Sequence, residues 1–294
     1  MKTLKRALND KAGADGFALI GQLRLHQDDG RDEVLRQAEL LSPAVDAVAV
    51  TDCPYGVLHM AGLAVASMLL ERGIDPLMHL SSRDRNRIAL KSELLGAAAL
   101  GVTSFLLQRG DPLPQDIQPT TKQVFDTGAK RFLATAQQLN EFRQASGNSE
   151  LFLGTLGTVF DPEDDWRPVE LLAKVDAGAR FIQTQICFDL ELLARYMKFL
   201  VAARLPWRCR VIVSVPVLTS ATEARWLYEN LRGSVMPESV VQRFESAGDA
   251  RRFGIEYAAE TLNSLREIPG VSGANLSTPG DPAAVAAAVA QAAL

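Results

Sequence analysis

The segment SFLLQRGDPLP (residues 104–114) joins an apolar run to charged residues that could bind a ligand. The apolar part is typical of a buried strand, which has no need of charged residues at its exit. Arg109, Gly110 and Asp111 supply a cation, a residue suited to a tight turn, and a carboxylate. They could contact a polar ligand, or Arg109 and Asp111 could form a local ion pair that braces the loop.

Other apolar runs along the chain also end in polar side chains. Each one alone has a structural explanation, since a glutamine at a strand end can satisfy backbone groups and His79 could pack in the core. Together they would be costly to bury at one end of a fold unless they were paired or bound a ligand. These strand-end residues are Gln22, Thr51, Asp52, His79, Ser81, Arg109, Asp111, Thr155, Gln183, Gln185 and Asn275.

The residue types constrain the chemistry of such a site. Amide side chains with one arginine and one aspartate suit a heteroaromatic ring that bears amide and amine edges, because glutamine offers one donor and one acceptor. The three cysteines include no CxxC pair, and the three histidines are dispersed, so neither covalent catalysis nor a metal site is indicated. We therefore expect the chemistry to come from a cofactor that the protein orients.

Eight strand-like runs alternate with segments of helical periodicity. This number predicts a (β/α)8 TIM barrel, with a doubly wound open sheet as the competing fold. No GxGxxG follows the first run and no GxxxxGK[ST] occurs, so the nucleotide fingerprints of open sheets are lacking. The predicted strands cover residues 17–23, 45–50, 76–80, 102–107, 150–156, 180–185, 210–215 and 272–277.

The connections between these elements also carry information. Residues 109–126 and 157–168 are long loops that, in a barrel, would lie on the carboxyl-end face where active sites are found. Residues 232–254 are predicted to include an extra helix before the last unit, and the alanine-rich end is predicted to be a closing helix. No linker divides the chain, so we expect one barrel domain over residues 1–294.

Composition and charge narrow the classes of partner. The chain has 294 residues, 47% of them hydrophobic and 22% charged, with a net charge of −4. No broad basic surface for nucleic acid is indicated. The N-terminus lacks the apolar core of a secretory signal, and no apolar run approaches the length of a membrane span. We expect a cytoplasmic protein with no nucleic-acid or membrane partner. The sequence leaves open whether the chain forms a homo-oligomer.

Five motifs in order carry a family resemblance: VTDCPYG (50–56), HLSSRDRNRIALKSELLGAAALGV (79–102), QRGDP (108–112), AKVDAGARFIQTQICFD (173–189) and IPGVSGANLSTPGD (268–281). With them the chain, from about residue 17 to its end, resembles the compact bacterial form of the methylenetetrahydrofolate reductase family. The resemblance implies a barrel that holds FAD at the carboxyl ends of its strands. It further implies hydride transfer from reduced FAD to 5,10-methylenetetrahydrofolate, giving 5-methyltetrahydrofolate, with NADH or NADPH as candidate electron donor.

The resemblance also assigns roles to residues. Asp111 would lie between the flavin and the pterin, and Lys174 would lie near the phosphate and ribose portion of FAD. Gln185 would contact the stacked folate or nicotinamide ring. The implied FAD-binding set is Thr51, His79, Ser81, Arg109, Gly110, Asp111 and Lys174; the implied substrate-binding set is Asp111, Gln183 and Gln185; and the implied catalytic positions are Gln22 and Asp111.

The chain departs from the family pattern at the first strand. Family members carry Glu-x-x-Pro-Pro there, whereas this chain has IGQLRLH, so Gln22 occupies the position of the acid. A carboxylic acid can protonate the substrate and open its methylene ring, a contribution typically worth about 10²–10⁴ in rate. An amide has no such proton, and Cys53 also replaces a familiar asparagine. Three hypotheses stay open: a reductase, a related flavoenzyme acting on another tetrahydrofolate adduct or in a demethylation pathway, and a non-catalytic flavin- or folate-binding partner protein.

Overall fold

Eight parallel strands close into a barrel in the order β1 to β8. The computed structural model describes residues 3–10, 16–114, 121–230 and 233–293. Each strand pairs with the next, and β8 pairs with β1, which excludes an open sheet and confirms the (β/α)8 barrel. The strands are Ala18–Gln22 (β1), Ala47–Val50 (β2), Pro76–Ser81 (β3), Ser104–Gln108 (β4), Phe152–Gly157 (β5), Phe181–Thr184 (β6), Arg210–Pro216 (β7) and Val271–Ser277 (β8).

Helices connect the strands on the outside of the barrel. Several begin at a residue whose side chain accepts a backbone N–H: Asn86 precedes α4, Asp189 precedes α7 and Asp249 precedes α10. The helices are Leu4–Asp10 (α1), Arg31–Leu41 (α2), Gly62–Glu71 (α3), Arg87–Leu100 (α4), Ala129–Ala145 (α5), Val169–Asp176 (α6), Leu190–Ala202 (α7), Ala221–Asn230 (α8), Glu238–Ser246 (α9), Ala250–Glu267 (α10) and Ala283–Gln291 (α11).

Apolar side chains fill the half of the barrel nearest the amino ends of the strands. Leu4 and Leu8 of α1 join this core from below, and the Leu4 N–H donates to Asp75 Oδ2 at 2.8 Å. Gly154 faces the Phe181 ring so closely that a Cβ would overlap it, so only glycine allows the phenylalanine to fill the centre. The core residues of the strands are Ala18, Ile20, Ala47, Ala49, Leu77, Leu106, Phe152, Phe181 and Ile212.

The described residues of the two long loops and of the extra helix lie where the sequence predicts them, while residues 115–120 and 232 of the predicted segments lie outside the described residues. The described residues between β4 and α5 contain no helix or strand, and a second irregular segment joins β5 to α6. Between β7 and α10 the chain forms α8 and α9, and α9 falls within the predicted segment 232–254. Val240, Val241 and Phe244 of α9 pack with Phe188 and Leu218 in a small separate core. Among the described residues no helix is both long and apolar enough to cross a bilayer.

Candidate functional site

A cavity of about 210 Å³ opens at the carboxyl ends of the strands. Successive residues of a strand face opposite sides, so residues two or four positions beyond the barrel core also face inward. Ile20 is followed in this way by Gln22, and Phe181 by Gln183 and Gln185. The lining residues are Gln22, Thr51, Asp52, Pro54, Tyr55, His79, Ser81, Arg83, Leu106, Gln108, Gly110, Asp111, Leu156, Gln183, Thr184, Gln185, Ile186, Ser214, Ser234, Asn275 and Ser277.

Four polar atoms of the cavity wall are buried and have no hydrogen-bond partner among the residues that the structure describes. They are His79 Nε2, Gln183 Oε1, Gln185 Oε1 and Asn275 Oδ1. Buried polar atoms in proteins are almost always bonded, and each one left without a partner costs about 1–3 kcal/mol. Burial also lowers the pKa of His79 to about 4, so this imidazole is neutral at physiological pH. The concentration of unpaired groups indicates a cavity that binds water or a polar ligand.

Hydrogen bonds between strands orient the amide side chains. Asn275 Nδ2 donates to Gln22 Oε1 at 3.2 Å, and Gln183 Nε2 donates to Ser214 Oγ at 3.3 Å. Ser214 Oγ in turn donates to the Thr184 carbonyl at 2.6 Å. Because Gln183 and Asn275 each give an N–H to a neighbour, their oxygens are the atoms left to a ligand.

Asp52 fixes the ends of β2 and β3. Its Oδ2 accepts the Ser81 N–H at 2.8 Å and Arg85 Nη1 at 2.7 Å, while its Oδ1 accepts Arg85 Nη2 at 3.1 Å. This bidentate pair involves a carboxylate side chain that is 6% exposed. Asp52 is thereby engaged as an ion-pair partner. Thr155, another strand-end residue, lies outside the lining and donates to the Leu107 carbonyl.

The residues of the Arg-Gly-Asp segment lie partly in the cavity wall and partly on the protein surface. Gly110 has φ +85°, and a Cβ there would overlap Ser81 Oγ, so the turn requires glycine. Gly110 and Asp111 line the cavity. The exposed Arg109 guanidinium lies outside the lining, 4.2 Å from the centre of the Phe125 ring. It makes no ion pair with Asp111, so the cation–π contact replaces the local ion pair that the sequence left open.

Lys174 lies behind the end of β5 rather than in the cavity wall. Its Nζ donates to the Leu156 carbonyl at 3.1 Å and is 3.7 Å from Glu170 Oε1. The Lys174 side chain is 15% exposed, whereas that of Glu170 is 86% exposed. Leu156 lines the cavity, so Lys174 contacts the site through the carbonyl of this residue.

The structure adds site residues that the sequence did not single out, among them Tyr55, Arg83 and Gln108. Burial, with a smaller contribution from Asp111, raises the pKa of Tyr55 to about 12. The parity of β4 could have identified Gln108, which follows Leu106 by two residues. Tyr55 and Arg83 belong to loops and carry no such periodic signal. The described residues include no group of three or more His, Cys, Asp or Glu side chains arranged to hold a metal ion.

Comparisons with known proteins agree in family and fold. The family model described as methylenetetrahydrofolate reductase matches residues 27–287. A probable methylenetetrahydrofolate reductase (NADPH) of Caenorhabditis elegans is 29% identical over 137 residues, covering 45% of this chain and 19% of that protein. The chain thus matches only about a fifth of the length of this curated relative.

Solved structures share the barrel at low sequence identity. A protein of Clostridium thermocellum that binds two copies of 5-methyl-5,6,7,8-tetrahydrofolic acid has a TM-score of 0.70 and 11% identity, covering 98% of this chain and 97% of that one. A GH18 chitinase of Cycas revoluta has a TM-score of 0.52 and 12% identity, covering 93% of this chain and 98% of that one. At these identities the similarity establishes the fold.

Proposed function

The chain belongs to the methylenetetrahydrofolate reductase family, and on this premise we propose that it is a flavin-dependent oxidoreductase of one-carbon metabolism. The proposed reaction is hydride transfer between reduced FAD and 5,10-methylenetetrahydrofolate. The observation that carries the proposal is the group of unpaired polar atoms at the inward-facing ends of β3, β6 and β8. A ligand with a polar edge can replace water as the partner of these atoms.

The chemistry of the unpaired atoms favours a pterin. Gln183 Oε1, Gln185 Oε1 and Asn275 Oδ1 are acceptors that lack donors. The pterin ring of a tetrahydrofolate carries an amino group and ring N–H groups, so one edge of it can donate several hydrogen bonds. Asp111, also in the lining, adds a carboxylate acceptor. We therefore assign Gln183, Gln185 and Asp111 to substrate binding.

The residues around the cavity also fit FAD. Thr51, His79, Ser81 and Gly110 form a polar wall on the β2–β4 side. No carboxylate among the described residues pairs with Arg109, and Lys174 pairs only loosely with the exposed Glu170, so both cations are available to a pyrophosphate. When bound, FAD would supply the hydride. We propose NADH or NADPH as the source of the electrons.

Protonation of the substrate is the step of the proposed reaction for which the described residues of the cavity include no dedicated acid. Gln22 has no acidic proton, and Asp52 is engaged by Arg85. Of the carboxyl groups that line the cavity in the described part of the chain, only Asp111 is outside an ion pair. The proton that opens the methylene ring would come from Asp111 or from water, and the loss of a dedicated acid would slow the reaction by about 10²–10⁴.

The same observation supports a second candidate, a folate-binding protein without catalysis. An amide at position 22 can still hydrogen-bond a folate, and its oxygen already accepts from Asn275. The Clostridium thermocellum protein of the same fold binds 5-methyl-5,6,7,8-tetrahydrofolic acid, a ligand that needs no protonation to bind. Both candidates place a tetrahydrofolate in the cavity, and only the first requires turnover.

Ligand binding tests what the two candidates share. Equilibrium titration of the purified protein with 5-methyltetrahydrofolate should give saturable one-site binding at the cavity. Gln185→Leu removes an unpaired acceptor and should weaken binding by about tenfold or more. Gln138→Leu, at an exposed position of α5, is the matched control and should bind as the wild type does. Absence of binding in the wild type, or equal affinity in the Gln185→Leu variant, would overturn the assignment.

A further inference from the structure

The turn that follows β2 has an unfavourable backbone next to the candidate site. Cys53 has φ 44° and ψ 60°, and Tyr55 has φ 54° and ψ 18°, with Pro54 between them. Both residues are in the left-handed region, which residues other than glycine occupy only when their surroundings hold them there. The side chains of the turn do not provide that support by burial, since Tyr55 is 39%, Val57 52% and Leu58 59% exposed.

His59 supplies hydrogen bonds that can hold the turn. Its Nε2 lies 3.0 Å from the Cys53 nitrogen and 3.3 Å from Thr51 Oγ1, and its Nδ1 lies 2.8 Å from the Met60 carbonyl. A carbonyl only accepts, so Nδ1 carries the proton and Nε2 is the acceptor. The Cys53 N–H and the Thr51 hydroxyl therefore both donate to Nε2 of a neutral imidazole that is 7% exposed.

Arg83 holds the other side of the same residue. Its Nη2 donates to the Cys53 carbonyl at 2.9 Å, and its guanidinium is paired with Asp84. The N–H and the carbonyl of Cys53 are thus both bonded to side chains from outside the turn. Thr51 and Tyr55 line the cavity, whereas His59 does not. Any effect of His59 on a ligand would pass through lining residues such as Thr51 and Tyr55.

We propose that His59 is a positioning residue that fixes the Thr51 hydroxyl and holds the Tyr55 ring in the cavity wall beside Asp111. The ring forms a preformed surface on which a planar ligand can stack, and the ordering of the turn is completed before binding. The inference rests on the proposed function only for the identity of the ligand. The role of His59 in the turn stands on the geometry alone.

Two substitutions of His59 distinguish the roles of its two ring nitrogens. In His59→Gln the side-chain oxygen can reach the position of Nε2 and accept the Cys53 N–H. In His59→Asn the shorter side chain can replace only Nδ1. The Cys53 thiol reports the state of the turn without any ligand, because Cys53 is partly exposed whereas Cys187 and Cys209 are buried. Cys53→Ser gives the background from the two buried thiols.

The reaction rate of the thiol with a small disulfide reagent should rise about tenfold or more in His59→Asn and less than about twofold in His59→Gln. The affinity for 5-methyltetrahydrofolate should fall about fivefold in His59→Asn and recover in His59→Gln, with similar melting temperatures for both variants. Equal thiol reactivity in wild type and His59→Asn would overturn the role in the turn. A looser turn with unchanged affinity would overturn the positioning of the site.

Hydrogen exchange of the wild type gives a test that needs no variant. The Cys53 amide should be protected although its turn is exposed, and exchange at the rate of an unstructured peptide would contradict the bond to His59. If the wild type binds no folate, the proposed function fails, and the thiol and exchange measurements still decide the role of His59.

Discussion

Gln22 and Asn275 are joined side chain to side chain across the seam where β1 and β8 close the barrel. Asn275 Nδ2 donates to Gln22 Oε1 at 3.2 Å, between residues that are 253 positions apart in the chain. Gln22 therefore has a fixed place in the cavity wall, and the family resemblance predicts that it stands where other members carry an acid. A glutamate at this position would accept the same hydrogen bond, so the scaffold is suited to the substitution that restores the acid.

Gln22→Glu should raise the rate at which 5,10-methylenetetrahydrofolate reoxidises reduced flavin by about tenfold or more, because a carboxylic acid can then protonate the substrate. Stopped-flow absorbance under anaerobic conditions measures the rate. Gln22→Ala is the companion variant, and a wild-type rate that it leaves unchanged would show that the residue has no part in the reaction.

Lys174→Met should weaken FAD binding by about tenfold while changing the reactivity of the flavin ring much less, because Lys174 lies outside the cavity lining and contacts it through the Leu156 carbonyl. Fluorescence titration gives the affinity, and turnover at full flavin occupancy gives the reactivity. Glu170→Gln removes the exposed partner of Lys174 and should leave FAD affinity nearly unchanged. A loss of turnover in Lys174→Met with normal flavin occupancy would contradict the assignment to the FAD tail.

Arg109→Ala should lower FAD affinity by about tenfold, because it removes an available cation beside the glycine turn. The guanidinium lies over the Phe125 ring, so Phe125→Leu tests whether this contact contributes to FAD binding. We expect the phenylalanine variant to bind FAD as the wild type does. An unchanged FAD affinity in Arg109→Ala would contradict a role of Arg109 in FAD binding and leave only its contact with Phe125.

His79 should make folding stability depend on pH. Its pKa is lowered by burial from 6.5 to about 4, so the unfolded chain binds the proton more readily than the folded one. The stability due to this group is complete above pH 6.5 and is lost as the pH falls toward 4, by up to about 3 kcal/mol. Urea unfolding at pH 7.5 and pH 5 should show a loss of about 2 kcal/mol in wild type beyond that in His79→Gln. Equal losses would contradict a buried neutral His79.

Strand periodicity allowed much of the fold and the floor of the site to be predicted from the sequence. Residues such as Gln22, His79 and Gln183 reach the cavity because each lies an even number of positions beyond an apolar core residue. The same rule excludes Thr155, because it lies an odd number of positions beyond Phe152. Its place at a strand end had made it a candidate site residue, but it lies outside the cavity lining.

Loop-borne contacts could not be predicted in this way. The stacking of Arg109 on Phe125, the bond of Lys174 to the Leu156 carbonyl and the support of Cys53 by His59 and Arg83 depend on turn conformations that no sequence period encodes. The family resemblance assigned Arg109 and Lys174 to FAD, and both assignments stay predictions.

Hydride transfer to a tetrahydrofolate in the cavity can be measured as the anaerobic reoxidation of the FAD-loaded, reduced wild-type protein by 5,10-methylenetetrahydrofolate. We predict slow reoxidation that is saturable in the folate and yields one equivalent of 5-methyltetrahydrofolate per flavin. Flavin that stays reduced over hours, in protein shown to bind both FAD and the folate, would contradict the reductase and leave the folate-binding protein.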